Sequence, residues 1–266
     1  MPFQKIITGK ISSAVTRQIE ELILQGVLRP GDRLPAEREL SESMDVSRPT
    51  LREALADLEE RGLISTRPGG GTFIAEVLGS AFAAPLIELF ATHDTALFDY
   101  VAFRRDFEGL AAERAALNAT EADLAVISSV FQRMESASKK RNPDEEAAID
   151  AEFHMSIIEA THNVVMLHMM RSLSDLLVRG VFYNRNVIYS LRERRSKLMD
   201  QHRAIHDAVI ARDPKAARAR VEEHLDFIAD ALHDANRLRS REQVAALRQR
   251  HEESRANKPR ARKVGA

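Results

Sequence analysis

In the segment I-D-A-E-F-H-M-S-I-I, Asp150 and His154 stand four residues apart. That spacing puts a carboxylate and an imidazole on one face of a helix, and Ile157 and Ile158 continue the same side. His202 falls in the apolar series Leu198, His202, Ile205, Val209, and His224 in Ala217, Val221, His224, Ile228. Imidazoles and a carboxylate converging on the inner faces of helices have the donor set of a divalent ion such as zinc. Each histidine taken singly reads more readily as a hydrogen-bonded core position than as a ligand, and acid–histidine pairs at i, i+4 are common on helix surfaces. His206 is a rival ligand, because it forms an H-x-x-x-H pair with His202. On the residues alone, an ion site and a set of core histidines both remain open.

A second group lies near the N-terminus. Ser47, Arg48, Thr50 and Arg52 crowd the start of one helical stretch, while the acids Asp57, Glu59 and Glu60 lie at its far end. A recognition helix enters the major groove of DNA by its N-terminal residues. Arginine can grip guanine edges there, and hydroxyls and backbone N–H groups hold phosphates. Downstream, Arg67-Pro68-Gly69-Gly70-Gly71 is a glycine-rich tip whose backbone could approach a groove closely. The bland alternative is a capped helix start with solvated arginines.

These side chains need elements to place them. Val15, Ile19, Leu22 and Ile23 form a helical stripe from Ile11 to Gln25, ended by Gly26. Pro35 opens a short second helix, and Ser47 caps a third whose apolar face is Leu51, Ala54, Leu55 and Leu58. Leu63–Thr66 and Thr72–Ile74 read as two short strands around the glycine tip. Three helices followed by a small hairpin is the order of a winged helix-turn-helix. Beyond residue 80 the periodicity predicts helices over roughly 80–92, 95–117, 121–138, 144–161, 163–190, 192–211 and 214–237, with breaks such as Asn142-Pro143 and Asp213-Pro214. The expected fold is mainly α: a winged helix-turn-helix followed by an all-α antiparallel bundle. The expected units are 1–77 for DNA binding, 78–237 for the bundle and its dimerisation, and 238–266 as a basic, disordered tail.

Charge sharpens this division. Residues 1–76 carry 10 Lys/Arg against 12 Asp/Glu, and residues 237–266 carry 10 against 3. DNA binding by the first unit must therefore rest on local placement of its arginines, not on bulk charge. The chain has no cysteine, which excludes disulfides, thiolate metal sites and cysteine nucleophiles and fits a reducing cytoplasm. Met1–Lys10 has no apolar signal core, and no stretch approaches the roughly 20 apolar residues that span a bilayer. A cytoplasmic protein without membrane contact is expected.

Two resemblances add to this reading. L-x-P-A-E-R-E-L-S-E, V-S-R-P-T-L-R-E-A-L, L-E-x-x-G-L-I and G-G-G-T-F, nearly continuous from Ile11 to Val77, resemble the DNA-binding domain of the GntR family of transcriptional regulators. The likeness implies DNA contacts at Arg38, Ser47, Arg48, Thr50, Arg52 and Gly69. Pro49 departs from the pattern, which often has threonine there, and offers DNA no side-chain donor. F-R-R-D-F-E-G-L-A-A-E-R-A, D-A-E-F-H, A-T-H-N, Q-H-R-A-I and A-R-x-x-V-E-E-H-L resemble the FCD effector domain of the family's FadR-type branch, over about 95–232.

In metal-containing members of that branch the ligands are one aspartate and three histidines. The resemblance assigns them to Asp150, His154, His202 and His224 and leaves His206 out. It implies zinc, with nickel or manganese as alternatives. It also sets Arg104 facing the effector pocket, where a guanidinium beside a metal suits a small carboxylate. A plain Arg104–Glu108 helix pair is the competing reading. The run A-T-H-N-V-V-M-L-H-M-M-R-S-L, then F-Y-N-R, is similar to the pyruvate dehydrogenase complex repressor and its lactate-responsive relatives. Pyruvate or lactate is the effector this implies. A homodimeric repressor on palindromic double-stranded operator DNA completes the expectation. Two rivals stand beside it: a metal-dependent enzyme fused to a DNA-binding domain, and a constitutive DNA-binding protein whose bundle only dimerises.

Overall fold

The structure is a computed structural model and describes residues 11–75, 93–140, 142–178 and 192–256. The N-terminal unit holds α1 (Ile11–Leu24), α2 (Glu37–Ser43), α3 (Arg48–Glu60), β1 (Ile64–Arg67) and β2 (Gly71–Ile74). Its core is Val15, Ile19 and Ile23 of α1 against Leu40 of α2, Leu51, Ala54 and Leu58 of α3, and Ile64 and Ile74 of the hairpin. The strands pair antiparallel, from Ile64 opposite Ile74 to Arg67 opposite Gly71. Gly69 and Gly71 have φ of +72° and +99°, which the tight tip between those strands requires. Arg33 bridges to Phe73 and anchors the hairpin to the turn before α2.

The second unit is a helical bundle: α4 (Asp94–Asn118), α5 (Glu121–Lys140), α6 (Pro143–Glu159), α7 (Val164–Val178), α8 (Arg192–Ile210) and α9 (Pro214–Ala256). Starts follow local chemistry. Asn142 caps α6 by accepting from the amides of Asp144 and Glu145, and Asn163 caps α7 through Val165 and Met166. Asp213 accepts from the Ala216 amide at the head of α9. The main core joins Ala112, Ala115 and Ala116 of α4, Ile127 and Phe131 of α5, Phe153 and Ile157 of α6, Ile205 and Val209 of α8, and Val221 and Leu225 of α9. The alanines let α4 sit close to its neighbours. Among the described residues no helix is long and apolar enough to cross a membrane.

One expectation meets a different outcome, and three fall outside what the structure describes. The expected helix over 80–92, the F-Y-N-R run and the boundary at 77/78 lie outside the described residues. The basic segment expected to be disordered from 238 is instead helical through Ala256, as the continuation of α9. Residues 238–256 contain neither Gly nor Pro and are rich in Ala, Arg, Leu, Gln and Glu. Those residues propagate an existing helix at small cost, so a polar sequence with no core to join stays helical.

Candidate metal centre and nucleic-acid interface

Asp150 and His154 rise from the inner face of α6, His202 from α8 and His224 from α9. All four side chains are buried. Each offers one ligand atom, and these atoms all lie within 4.8 Å of one another. Donors bound at about 2.1 Å to one tetrahedral ion would be about 3.4 Å apart. The cluster therefore needs only small rotations to close on an ion. His202 Nε2 lies 3.0 Å from Asp150 Oδ1, and His154 Nε2 is 4.0 Å from the same oxygen. Both Nε2 atoms are buried without a well-formed hydrogen bond. Buried nitrogens left so cost free energy unless something else satisfies them. A borderline cation is the group that imidazole nitrogens and a carboxylate satisfy together, so the residues fit the ion.

The surroundings prepare the nitrogens. His224 is held well below the ordinary imidazole value, by burial first and then by His202 and His154, so its ring is neutral near pH 7 and able to coordinate. Its Nδ1 faces Gln201 Oε1 at 3.2 Å. His154 Nδ1 lies 2.7 Å from Glu108 Oε2. Glu108 also accepts from Arg104 Nε at 2.5 Å, so the plain helix pair weighed above does exist, but it is buried and aimed at the cluster. Burial alone would raise the Glu108 carboxyl. The charges of Arg104 and His154 outweigh that and bring it down to about 2. Arg104 is raised against its own burial chiefly by Glu108, then Tyr100, with Asp150 adding less. Arginine and metal candidates thus share one buried space. His206 stands apart, stacked 4.5 Å from Phe131, with Nε2 at Ser128 and Nδ1 at Asp207.

Sequence reasoning weighed Glu108 only as a surface partner of Arg104, and it missed Gln201 altogether. Gln201 could have been found: it directly precedes His202 and lies one turn from both Leu198 and Ile205 of the apolar stripe. Glu108 reaches His154 across helices, and periodicity carries no signal for that.

On the N-terminal unit, Ser47 caps α3. Its hydroxyl accepts from the Thr50 amide at 3.3 Å and lies 2.8 Å from the Thr50 hydroxyl. Arg48 and Arg52 are exposed on the same end, and both lean toward one acid of α2, Glu37. Arg52 Nε donates to it at 2.7 Å, and Arg48 Nη2 lies 3.7 Å away. Arg38 is exposed beside Glu42, and Gly69 sits at the exposed hairpin tip. Five of these six residues are exposed, and Thr50 is half-buried.

A capped, arginine-bearing helix with a β wing, carried on a helical bundle with a buried ligand-like cluster, defines a DNA-binding regulator with a separate second domain. The comparisons agree. The gntR family of bacterial regulatory proteins matches residues 11–74, and the FCD domain matches residues 99–227. The chain is 36% identical over 227 residues to the Glc operon transcriptional activator of Escherichia coli, covering 84% of this chain and 89% of that protein. It is 35% identical to an E. coli regulatory protein named for the L-lactate dehydrogenase operon, over 84% and 86% of the two chains. It is 31% identical to the regulator LutR of Bacillus subtilis, over 79% and 96%. A solved structure titled Streptococcus agalactiae GntR shares 24% identity, 82% of this chain and 99% of that one, with a TM-score of 0.49. The chain belongs to the gntR family and is a transcriptional regulator of the GntR/FCD type. The enzyme alternative falls with that assignment, because the matched families and relatives are regulators.

Proposed function

We propose that the chain is a homodimeric repressor whose operator binding is governed by a small organic acid, pyruvate or lactate, held beside a divalent metal in the bundle. Asp150, His154, His202 and His224 would hold the metal, zinc first, with nickel or manganese as alternatives. Held as a five- or six-coordinate ion, the metal would supply a positive charge and an open position for a carboxylate. Arg104 supplies the second grip on that carboxylate. The observation that carries this reading is the buried cluster of four ligand atoms within 4.8 Å, next to a buried arginine. Arg38, Ser47, Arg48, Thr50, Arg52 and Gly69 would contact DNA, with two recognition helices of a dimer reading related half-sites of a palindrome. The name of the lactate-operon relative supports the acid class. The E. coli glc relative is named an activator, so the sign of control is tested with a reporter in the same experiment.

That experiment measures metal content of the purified protein, then operator affinity and reporter output with and without pyruvate and lactate. Bound transition metal and acid-dependent release support the reading. Operator binding that ignores every short acid would return the constitutive alternative.

A further inference from the structure

The metal reading leaves the buried carboxylate of Glu108 unused. Glu108 is 3% exposed, on α4, and no motif of the ligand set includes it. Its two oxygens face two partners on two helices. Oε1 accepts from Arg104 Nε, one turn earlier on α4, and Oε2 lies 2.7 Å from Nδ1 of His154 on α6, a contact that a small ring rotation would align into a hydrogen bond. We infer that Glu108 is the positioning residue of this site, holding His154 as the Nδ1–H tautomer so that Nε2 faces the ion, and holding Arg104 beside it for the acid. The inference rests on the metal-and-acid reading for its purpose, but its geometry stands on the contacts alone.

The argument runs through donors and acceptors. An ionised carboxylate only accepts, so a nitrogen 2.7 Å from it is favourable only if that nitrogen carries the proton. A neutral imidazole with its proton on Nδ1 has its lone pair on Nε2. In His154 that atom points into the cluster and has no well-formed hydrogen bond of its own. A flip of the ring would put Cδ2–H in place of Nδ1 and take the nitrogen donor away from the carboxylate. The other ligand ring with a described outer contact, His224, faces only the neutral amide oxygen of Gln201. Of these two rings, His154 is the one whose outer nitrogen faces a charged group. The same anion engages the Nε edge of Arg104, which fixes the plane of the guanidinium and leaves its Nη edge outside that contact. One carboxylate thus ties the metal helix α6 to the arginine helix α4.

The test begins with the metal-free wild-type protein, by nitrogen-15 NMR of its histidines. His154 should have protonated Nδ1 and bare Nε2; an Nε2–H tautomer overturns the inference. Next, zinc affinity is measured by chelator competition in the full-length wild type and in Glu108→Gln, which keeps the shape but not the charge. Zinc binding should weaken about 10- to 100-fold, the usual consequence of losing a group that orients a metal histidine. Equal zinc affinity in a folded Glu108→Gln overturns it as well. If that variant does not fold, the tautomer of the wild type decides. If the wild type itself fails to bind zinc, the metal reading fails, while the tautomer still judges the role of Glu108.

Discussion

The two halves of the chain store charge in opposite ways. On the winged helix, Arg38, Arg48 and Arg52 stand in solvent and pair with acids of α2, Arg38 with Glu42 of its own helix and Arg48 and Arg52 with Glu37. In the bundle, Arg104, Glu108, Asp150 and three histidines are all buried, in a space where an unpaired charge is expensive. Exposed pairs are screened and worth about 0–1 kcal/mol each, so a polyanion can displace them at little cost. Buried groups have no such freedom, and any species that completes their coordination moves the energy by far more. The surface therefore suits reversible scanning of DNA. The interior suits a ligand that switches a state.

The largest break in that contrast comes from the interior. His154→Ala or His224→Ala should lower metal content to near zero and remove the response to acid, while operator binding of the acid-free protein survives. Elemental analysis and a DNA-binding titration check both halves of the statement. Acid should do reversibly what those variants do permanently. His224 is depressed when folded, so the unfolded metal-free chain takes up its proton near pH 6.5 and the folded chain only at lower pH. Stability of the metal-free protein should therefore fall as pH drops below about 6.5, with no contribution from this ring above it. Urea midpoints at pH 7.5, 6.5 and 5.5 measure this, and equal midpoints at the three would contradict the neutral buried ring. Metal affinity should fall over the same range.

On the exposed half the expected losses are smaller. Arg48→Ala and Arg52→Ala should each cost roughly 1–3 kcal/mol of operator affinity if the side chains read base edges. Arg38→Ala should weaken all sequences alike if it contacts phosphate. Fluorescence anisotropy on operator and scrambled duplexes separates the two patterns. Intact operator affinity in both of the first pair would remove α3 as the reading helix.

The halves meet where α1 ends. Leu24 and Gly26 turn their carbonyls toward α7 and accept from His168 Nε2 at 2.8 Å and Arg171 Nη2 at 3.2 Å. Glu159, at the end of the helix that carries Asp150 and His154, accepts from both Arg171 and Arg29. Gly26 has φ +75°, and a Cβ there would lie 2.6 Å from Arg171 Nη2. Gly26→Ala should cost about 1–2 kcal/mol through the left-handed backbone alone, and should also push Arg171 off the junction. A lowered urea midpoint, with faster amide exchange at 24–28, is the expected signature.

Much of this was legible beforehand, for local reasons. Ser47 before Arg48-Pro49-Thr50 caps a helix wherever it stands, and Asp213-Pro214 starts one. The i, i+4 spacing put Asp150 and His154 on one face whatever the tertiary packing. Glu108 was not legible in its role, because α4 is the central helix. Ala111, Ala112, Ala115 and Ala116 bury it on more than one side, so no single apolar stripe marks which face looks at the histidines. The likeness of A-T-H-N-V-V-M-L-H-M-M-R-S-L to acid-responsive regulators pointed to an effector. The structure sets His168 and Arg171 of that run at the junction with α1. A resemblance in sequence names the segment that matters without saying which contact it makes.

The smallest expected effect sharpens the contrast most. Glu37 sits on α2 and receives Arg52 closely and Arg48 more loosely. It does two things of opposite sign. With DNA seated on α3 as proposed, it would place a negative charge near the phosphates, lowering affinity for any duplex, and restrain two long side chains, reducing the entropy they lose on meeting bases. Glu37→Gln should therefore raise affinity for scrambled DNA a few-fold at low salt, while the ratio of operator to scrambled affinity falls. Each change corresponds to less than about 1 kcal/mol, as befits an exposed pair. The rise should fade by about 0.3 M salt, where screening shortens the reach of the lost charge, and the fall in ratio should persist because it is not electrostatic at long range. A variant that gains affinity for both duplexes equally would show that Glu37 acts as charge alone and that the arginines need no brace.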